Sequence, residues 1–268
     1  MIKDIYESYV LGRYTNIYKL KAQVKKKEKM EIELDKKPKD VIIVEGFPGM
    51  GLVGTIATEA ILEHLGAKAI GRIVHNKLPA LVAVHEEKVV EPLGIFYDPK
   101  TNIVIQHAVT NVSGIEWELS NSVVDLANQL KAKEIISLEG ISTVPDTPKK
   151  RAFYYTNNTN ARKKFEKLGL KPLKDGIIVG VTGTLMLKAS NKFNMSAIFA
   201  ETRSGLPDSR AAAVIIEIVD SYLNLKIPYE PLLKKAQQFE DKLKNIFEKS
   251  KQAVSEKEKK EERVGYIE

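Results

Sequence analysis

The chain has 268 residues, of which 43% are hydrophobic and 29% charged, with a formal net charge of +7. That length supports one sizeable α/β core and a small added module. With no cysteine, disulfides, thiolate metal sites and a cysteine nucleophile are excluded, and no signal-like apolar stretch follows Met1-Ile2-Lys3-Asp4, so a cytoplasmic protein is expected.

Residues 1–40 read as an N-terminal extension, a connector carrying Lys25-Lys26-Lys27 and then an alternation at Met30-Glu31-Ile32-Glu33-Leu34 that suits an edge strand. The β-branched run Val41–Val44 leads through Glu45-Gly46-Phe47-Pro48-Gly49-Met50-Gly51-Leu52-Val53-Gly54 into a helix over 52–65. Short strands follow near 69–74, 81–85, 93–97 and 102–107, the last two closed into a hairpin by the turn at Asp98–Asn102. Trp117, Val124, Leu126, Ala127 and Leu130 set a helical rhythm over 115–131, followed by a strand at 134–141. Beyond an exposed loop at 142–150 come a strand at 151–156, a helix at 159–168 stopping at Gly169, and buried strands at 177–187 and 195–200. Pro207-Asp208-Ser209-Arg210 opens an Ala- and Ile-rich helix to about Leu223. This alternation predicts an α/β core domain over 41–230, a largely parallel mixed sheet with helices on both faces. Leu232, Ala236, Phe239, Leu243 and Ile246 then recur at spacings of four and three, predicting an amphipathic coiled-coil-like helix over 231–254. Residues 255–268 read as a flexible charged tail whose tip, Val264-Gly265-Tyr266-Ile267-Glu268, suits docking.

Most of the net charge lies in the two terminal segments. Residues 19–40 hold nine Lys against five acids and residues 231–268 hold ten basic against eight acidic residues, whereas residues 41–230 are nearly balanced. The body shows no interleaving of Arg with aromatics, so nucleic acid and membranes are not expected partners.

Gly49, Gly51 and Gly54 match G-x-G-x-x-G after a buried-strand pattern, which makes a nucleotide site one reading of the turn. The chemistry of that site is incomplete. The next apolar run ends in no acid to hold a ribose, leaving only Arg72 or His75 to meet a 2′-phosphate, and no Lys-Ser or Lys-Thr follows the glycines. The structural alternative is a tight strand-to-helix turn whose glycines let the helix pack close on the sheet. Glu45, Glu139 and Glu201 each sit near the carboxyl end of a predicted strand, where they serve either as an acid–base or cation-binding cluster or as caps for helix N-termini. The four histidines, at 64, 75, 85 and 107, show no i, i+4 pair, although His85 and His107 fall in strands that could be neighbours. No G-x-S-x-G elbow is present. No metal, cofactor or catalytic set is therefore expected.

The run Glu45–Gly54, the later Asn111-Val112-Ser113-Gly114, the strand with Glu139-Gly140-Ile141, the Thr182-Gly183 segment, and Glu201–Asp208 before an Ala-rich helix resemble archaeal members of the proteasome assembly chaperone family. The resemblance covers roughly residues 38–225. It implies a fold similar to nucleoside phosphorylases without their catalytic residues, in a self-associating protein that engages 20S proteasome α-subunits without ATP. Some members dock through a tail ending in a hydrophobic residue, Tyr and any residue; here Tyr266 stands third from the end, and Tyr266, Ile267 and Glu268 are the expected contacts. The alternative function is an enzyme acting on a nucleoside or other small metabolite in the crevice between the 46–54 turn, Glu139 and Glu201; a nucleotide-sensing regulator would use the same turn without chemistry.

Overall fold

β-branched and apolar runs alternate with amphipathic helices, and the computed structural model folds them into one large sheet with helices packed against both faces. It describes residues 30–79, 83–85, 87–142, 151–202 and 207–228, together with Lys234 and Gln238. Its elements are, in chain order, β1 (Glu31–Leu34), β2 (Ile42–Gly46), a 3₁₀ turn (Met50–Leu52), α1 (Val53–Leu65), β3 (Lys68–Val74), β4 (Ala83–His85), β5 (Lys88–Val90), β6 (Leu93–Asp98) and β7 (Ile103–Ala108). Then follow α2 (Glu116–Leu130), β8 (Glu134–Ser142), β9 (Ala152–Thr156), α3 (Thr159–Lys167), β10 (Lys171–Pro172), α4 (Val181–Ala189), β11 (Asn194–Thr202) and α5 (Ser209–Leu223).

Nine strands form the main sheet in the order β1-β3-β6-β7-β2-β8-β11-β9-β10, and β4 pairs with β5 apart from it. The centre, β7-β2-β8-β11, is parallel, and β9-β10 is parallel too. The pairs β1-β3, β3-β6, β6-β7 and β9-β11 are antiparallel. The antiparallel share is larger than a single hairpin because, among the described residues, no helix separates β3 from β6 and β7, and chain reversals without a crossover return antiparallel. Both ends of the sheet carry exposed charge: β1 exposes Glu31 and Glu33, and the two-residue β10 exposes Lys171 beside Pro172.

Strand alternation divides the core into two clusters. Val44, Ile105, Ile136 and Ile198 face α1, α3 and α5, where Phe165 stacks between Tyr154 and Tyr222 at centroid distances of 4.9 and 4.5 Å. Ile43, Val104, Ile135 and Met195 face α2 and α4. The helices stop where left-handed residues end them, α1 at Gly66, α2 at Lys131 and α5 at Asn224. Side-chain caps start α3 at Asn158 and α5 at Asp208, each accepting a backbone N–H within the first turn.

One segment departs from expectation. Ile177–Val179 is an unpaired stretch with Ile177 and Val179 exposed, and Val181–Ala189 is helical. The run of β-branched residues reads as a strand, but Val181, Leu185 and Ala189, all buried, carry the four-residue spacing of a helix face. The seam residues Leu232, Ala236, Phe239, Leu243 and Ile246 and the tip residues Tyr266, Ile267 and Glu268 lie outside the described residues.

Candidate functional site

β2 is the point at which the chain changes sides, with β7 on one flank and β8 on the other. Connections splay apart at such a point and leave a crevice beyond the carboxyl ends of the strands. A cavity of about 890 Å³ lies there, bounded by the Phe47–Met50 turn, the entry to α2, the end of β8 and the segment leading into α4.

The glycines of the turn are used for close approach of protein to protein. A Cβ on Gly54 would strike the Leu138 carbonyl, one on Gly46 the Gly54 carbonyl, and one on Gly49 the Glu139 carboxylate. Gly51, at φ 64°, lies against Thr202. All three glycines of G-x-G-x-x-G thus meet protein atoms where a phosphate cradle would leave open space, and only Gly49 of the three borders the cavity, beside Phe47 and Pro48. The start of α5 is tied to the same turn, because the Asp208 N–H donates to the Gly51 carbonyl over 2.9 Å.

Glu45, Glu139 and Glu201 project from the same face of the sheet but into different surroundings. Glu139 lines the crevice; it accepts the Gly140 N–H over 3.0 Å and the Thr182 hydroxyl over 3.2 Å, and the Met50 N–H also faces it. It thereby caps the 3₁₀ turn that opens α1, while burial pushes its pKa up to about 7. Thr182, in the first turn of α4, bonds the Ser137 hydroxyl over 2.8 Å as well. Glu201, buried at the end of β11, pairs with Arg151: Nε lies 2.8 Å from Oε1, and the Arg151 backbone N–H donates to Oε2 over 3.2 Å. Glu45 lies deeper, two residues before Phe47, and does not border the cavity. Burial, helped by the nearby Glu139 charge, raises its pKa to about 8.

The other polar candidates fall elsewhere. Arg72 pairs with Glu33 at 2.7 Å and Glu91 at 3.1 Å on the surface, far in the sheet order from the glycine turn, so it meets no phosphate there. His75 is buried just after β3 and accepts the Lys77 N–H. His107 bonds Thr58 Oγ1 through Nδ1 at 2.9 Å and Glu59 through Nε2 at 3.0 Å, whereas β4, which holds His85, belongs to the separate pair, so these histidines are not strand neighbours. Among the described residues no group of three or more His, Cys, Asp or Glu is placed to hold a metal ion, and no helix is long and apolar enough to cross a membrane.

Sequence reasoning did not single out Arg151 and Phe153 for this site. Their signal was present in the spacing, since residues two apart in a strand share a face, and the Arg151 guanidinium stands 5.8 Å from the Phe153 ring centroid. The approach to α4 was missed because its apolar run was read as a buried strand.

Relatives share this architecture across most of the chain. The structure of PbaA from Pyrococcus furiosus, described as an archaeal homolog of proteasome-assembly chaperone, is 29% identical and superposes with a TM-score of 0.76, covering 84% of this chain and 99% of that one. PbaB of the same organism, described as an archaeal proteasome activator, shares the fold at 21% identity and a TM-score of 0.66, over 82% of this chain and 99% of its own. An uncharacterised protein of Methanocaldococcus jannaschii is 26% identical over 233 residues, 87% of this chain and 94% of the relative. The PAC2 family model matches residues 43–246, and the chain belongs to the PAC2 family.

Proposed function

We propose that this protein is a non-enzymatic, ATP-independent, homo-oligomeric chaperone or adaptor of the cytoplasm that binds 20S proteasome α-subunits and assists proteasome assembly. The observation that carries this reading is the likeness to PbaA, at 29% identity over 84% of the chain. The body contributes the α/β scaffold of residues 41–230. The helix over 231–254, through Leu232, Ala236, Phe239, Leu243 and Ile246, gathers the copies, and the tail presents Tyr266, Ile267 and Glu268. Each tail contact is weak alone. A ring of linked tails raises avidity by about 10²–10⁴ through effective concentration.

The test is co-elution. Full-length protein and a version ending at Val254 are mixed with archaeal proteasome α-subunits and followed by size-exclusion chromatography with light scattering. A complex with the full chain and none with the truncation is the expected result. If neither binds, α-subunit recognition is abandoned; equal binding by both moves the docking element from the tail to the body.

A further inference from the structure

Chaperone docking through the tail leaves the crevice between β2 and β8 unused, and its chemistry is that of a small-molecule site. Its volume, about 890 Å³, falls in the range of ligand pockets, which are mostly apolar with a few convergent polar groups. Buried Glu201 holds the Arg151 guanidinium over Phe153 without covering it, since the Arg151 side chain remains 57% exposed. Lys171 and Lys174 add two more cations to the lining. Gly180 and Val181 bring the start of α4 to the cavity, and Gly180, its N-cap residue, has no side chain to cap that helix. Its first N–H groups and its dipole therefore favour an anion.

The same lining also carries acids. Glu201 shares its charge with Arg151, Glu116 accepts the Gly114 N–H over 2.9 Å, and burial raises the Glu139 pKa to about 7, while Asp175 is exposed as Lys171 and Lys174 are. The walls are apolar: Phe47 and Phe153 on one part, and on another Ile177 and Val179, which are 90% and 77% exposed. Two consecutive-but-one β-branched side chains left in water at the mouth of a cavity gain free energy when an apolar body covers them.

We propose that this crevice binds a small aromatic anion, a flat apolar body that covers Phe153 and the Ile177–Val179 segment and bears one anionic group met by Arg151, Lys171, Lys174 and the start of α4. The site needs no chemistry on the ligand and no proteasome subunit, so it stands or falls separately from the reading of the tail.

Isothermal titration of the full chain with 1-naphthyl phosphate, 1-naphthol and inorganic phosphate tests it. The naphthyl phosphate is expected to bind at least about tenfold more tightly than either fragment, because the charged group and the apolar body are engaged together. A Lys171→Glu/Lys174→Glu double variant, changed only at exposed positions, keeps its melting temperature and loses about tenfold in affinity as charge-assisted contacts are replaced by repulsion. Val179→Ser, also at an exposed position and adding no charge, weakens the naphthyl phosphate and leaves inorganic phosphate unchanged. Absence of binding, equal affinity for inorganic phosphate (an adventitious ion only), or full affinity in both variants overturns the proposal. Binding of α-subunits is expected to be the same in all of these proteins.

Discussion

Glu45 and Gln106 are register partners on β2 and β7, both nearly inaccessible, and neither side chain makes a well-formed hydrogen bond. Ser137 and the Phe47 N–H lie close enough to Glu45 to offset only part of the burial. Carboxyl groups whose pKa is raised from 4.5 to about 8, as for Glu45, and to about 7, as for Glu139, keep their protons in the native chain where the unfolded chain releases them. Their contribution to stability is therefore full below about pH 4.5 and is lost as pH rises to about 8, at a slope on the order of 1.4 kcal/mol per pH unit for each group still protonated. Urea midpoints should fall between pH 6 and 8.5, and Glu45→Gln, which cannot ionise, should show a smaller fall; an equal fall in both proteins would refute the assignment to Glu45. Close approach makes a second residue-scale prediction. Gly54→Ala drives a methyl into the Leu138 carbonyl, a backbone atom that cannot swing aside, and should cost roughly 1–3 kcal/mol or more by denaturant titration. Gly66→Ala, with open space around it but φ 60°, should cost only about 1 kcal/mol from its left-handed backbone.

At the scale of elements, Asp208 shows how a single side chain joins a helix to the sheet. Its carboxylate accepts the Ala211 N–H and the Thr202 hydroxyl, each over 3.0 Å, so it caps α5 and fastens that helix to the end of β11. Asp208→Ala should cost about 1–2 kcal/mol, and calorimetry should show a larger drop than for Asn158→Ala, which removes the cap of the shorter surface helix α3. The elements that were legible in the sequence are those with one unambiguous period: β2 as a β-branched run, β6 and β7 as a hairpin about Asp98–Asn102, α2 and α5 as long apolar stripes bounded by turn residues. The approach to α4 was not, because β-branched and glycine residues, Ile177 to Gly183, weigh against helix while the helical spacing of Val181, Leu185 and Ala189 is short. The crevice was half legible. Glu139, Glu201 and the glycines could be placed at strand ends from pattern alone, but the Arg151–Glu201 pair depends on β9 running antiparallel beside β11, a pairing across 50 positions that no local period encodes.

For the molecule as a whole, the described residues of the two core clusters run from Met30 to Leu225, with Ile227 packed against one of them. The two ends of the nine-stranded sheet also constrain how copies can meet. Exposed Glu31 and Glu33 on β1 and exposed Lys171 and Pro172 on a two-residue β10 guard the outer backbone, and charged residues and proline at such positions discourage the addition of another strand. Among the described residues, continuation of the sheet into a second copy is thereby disfavoured at both ends, so copies of this chain are expected to meet through side chains rather than by sharing a sheet.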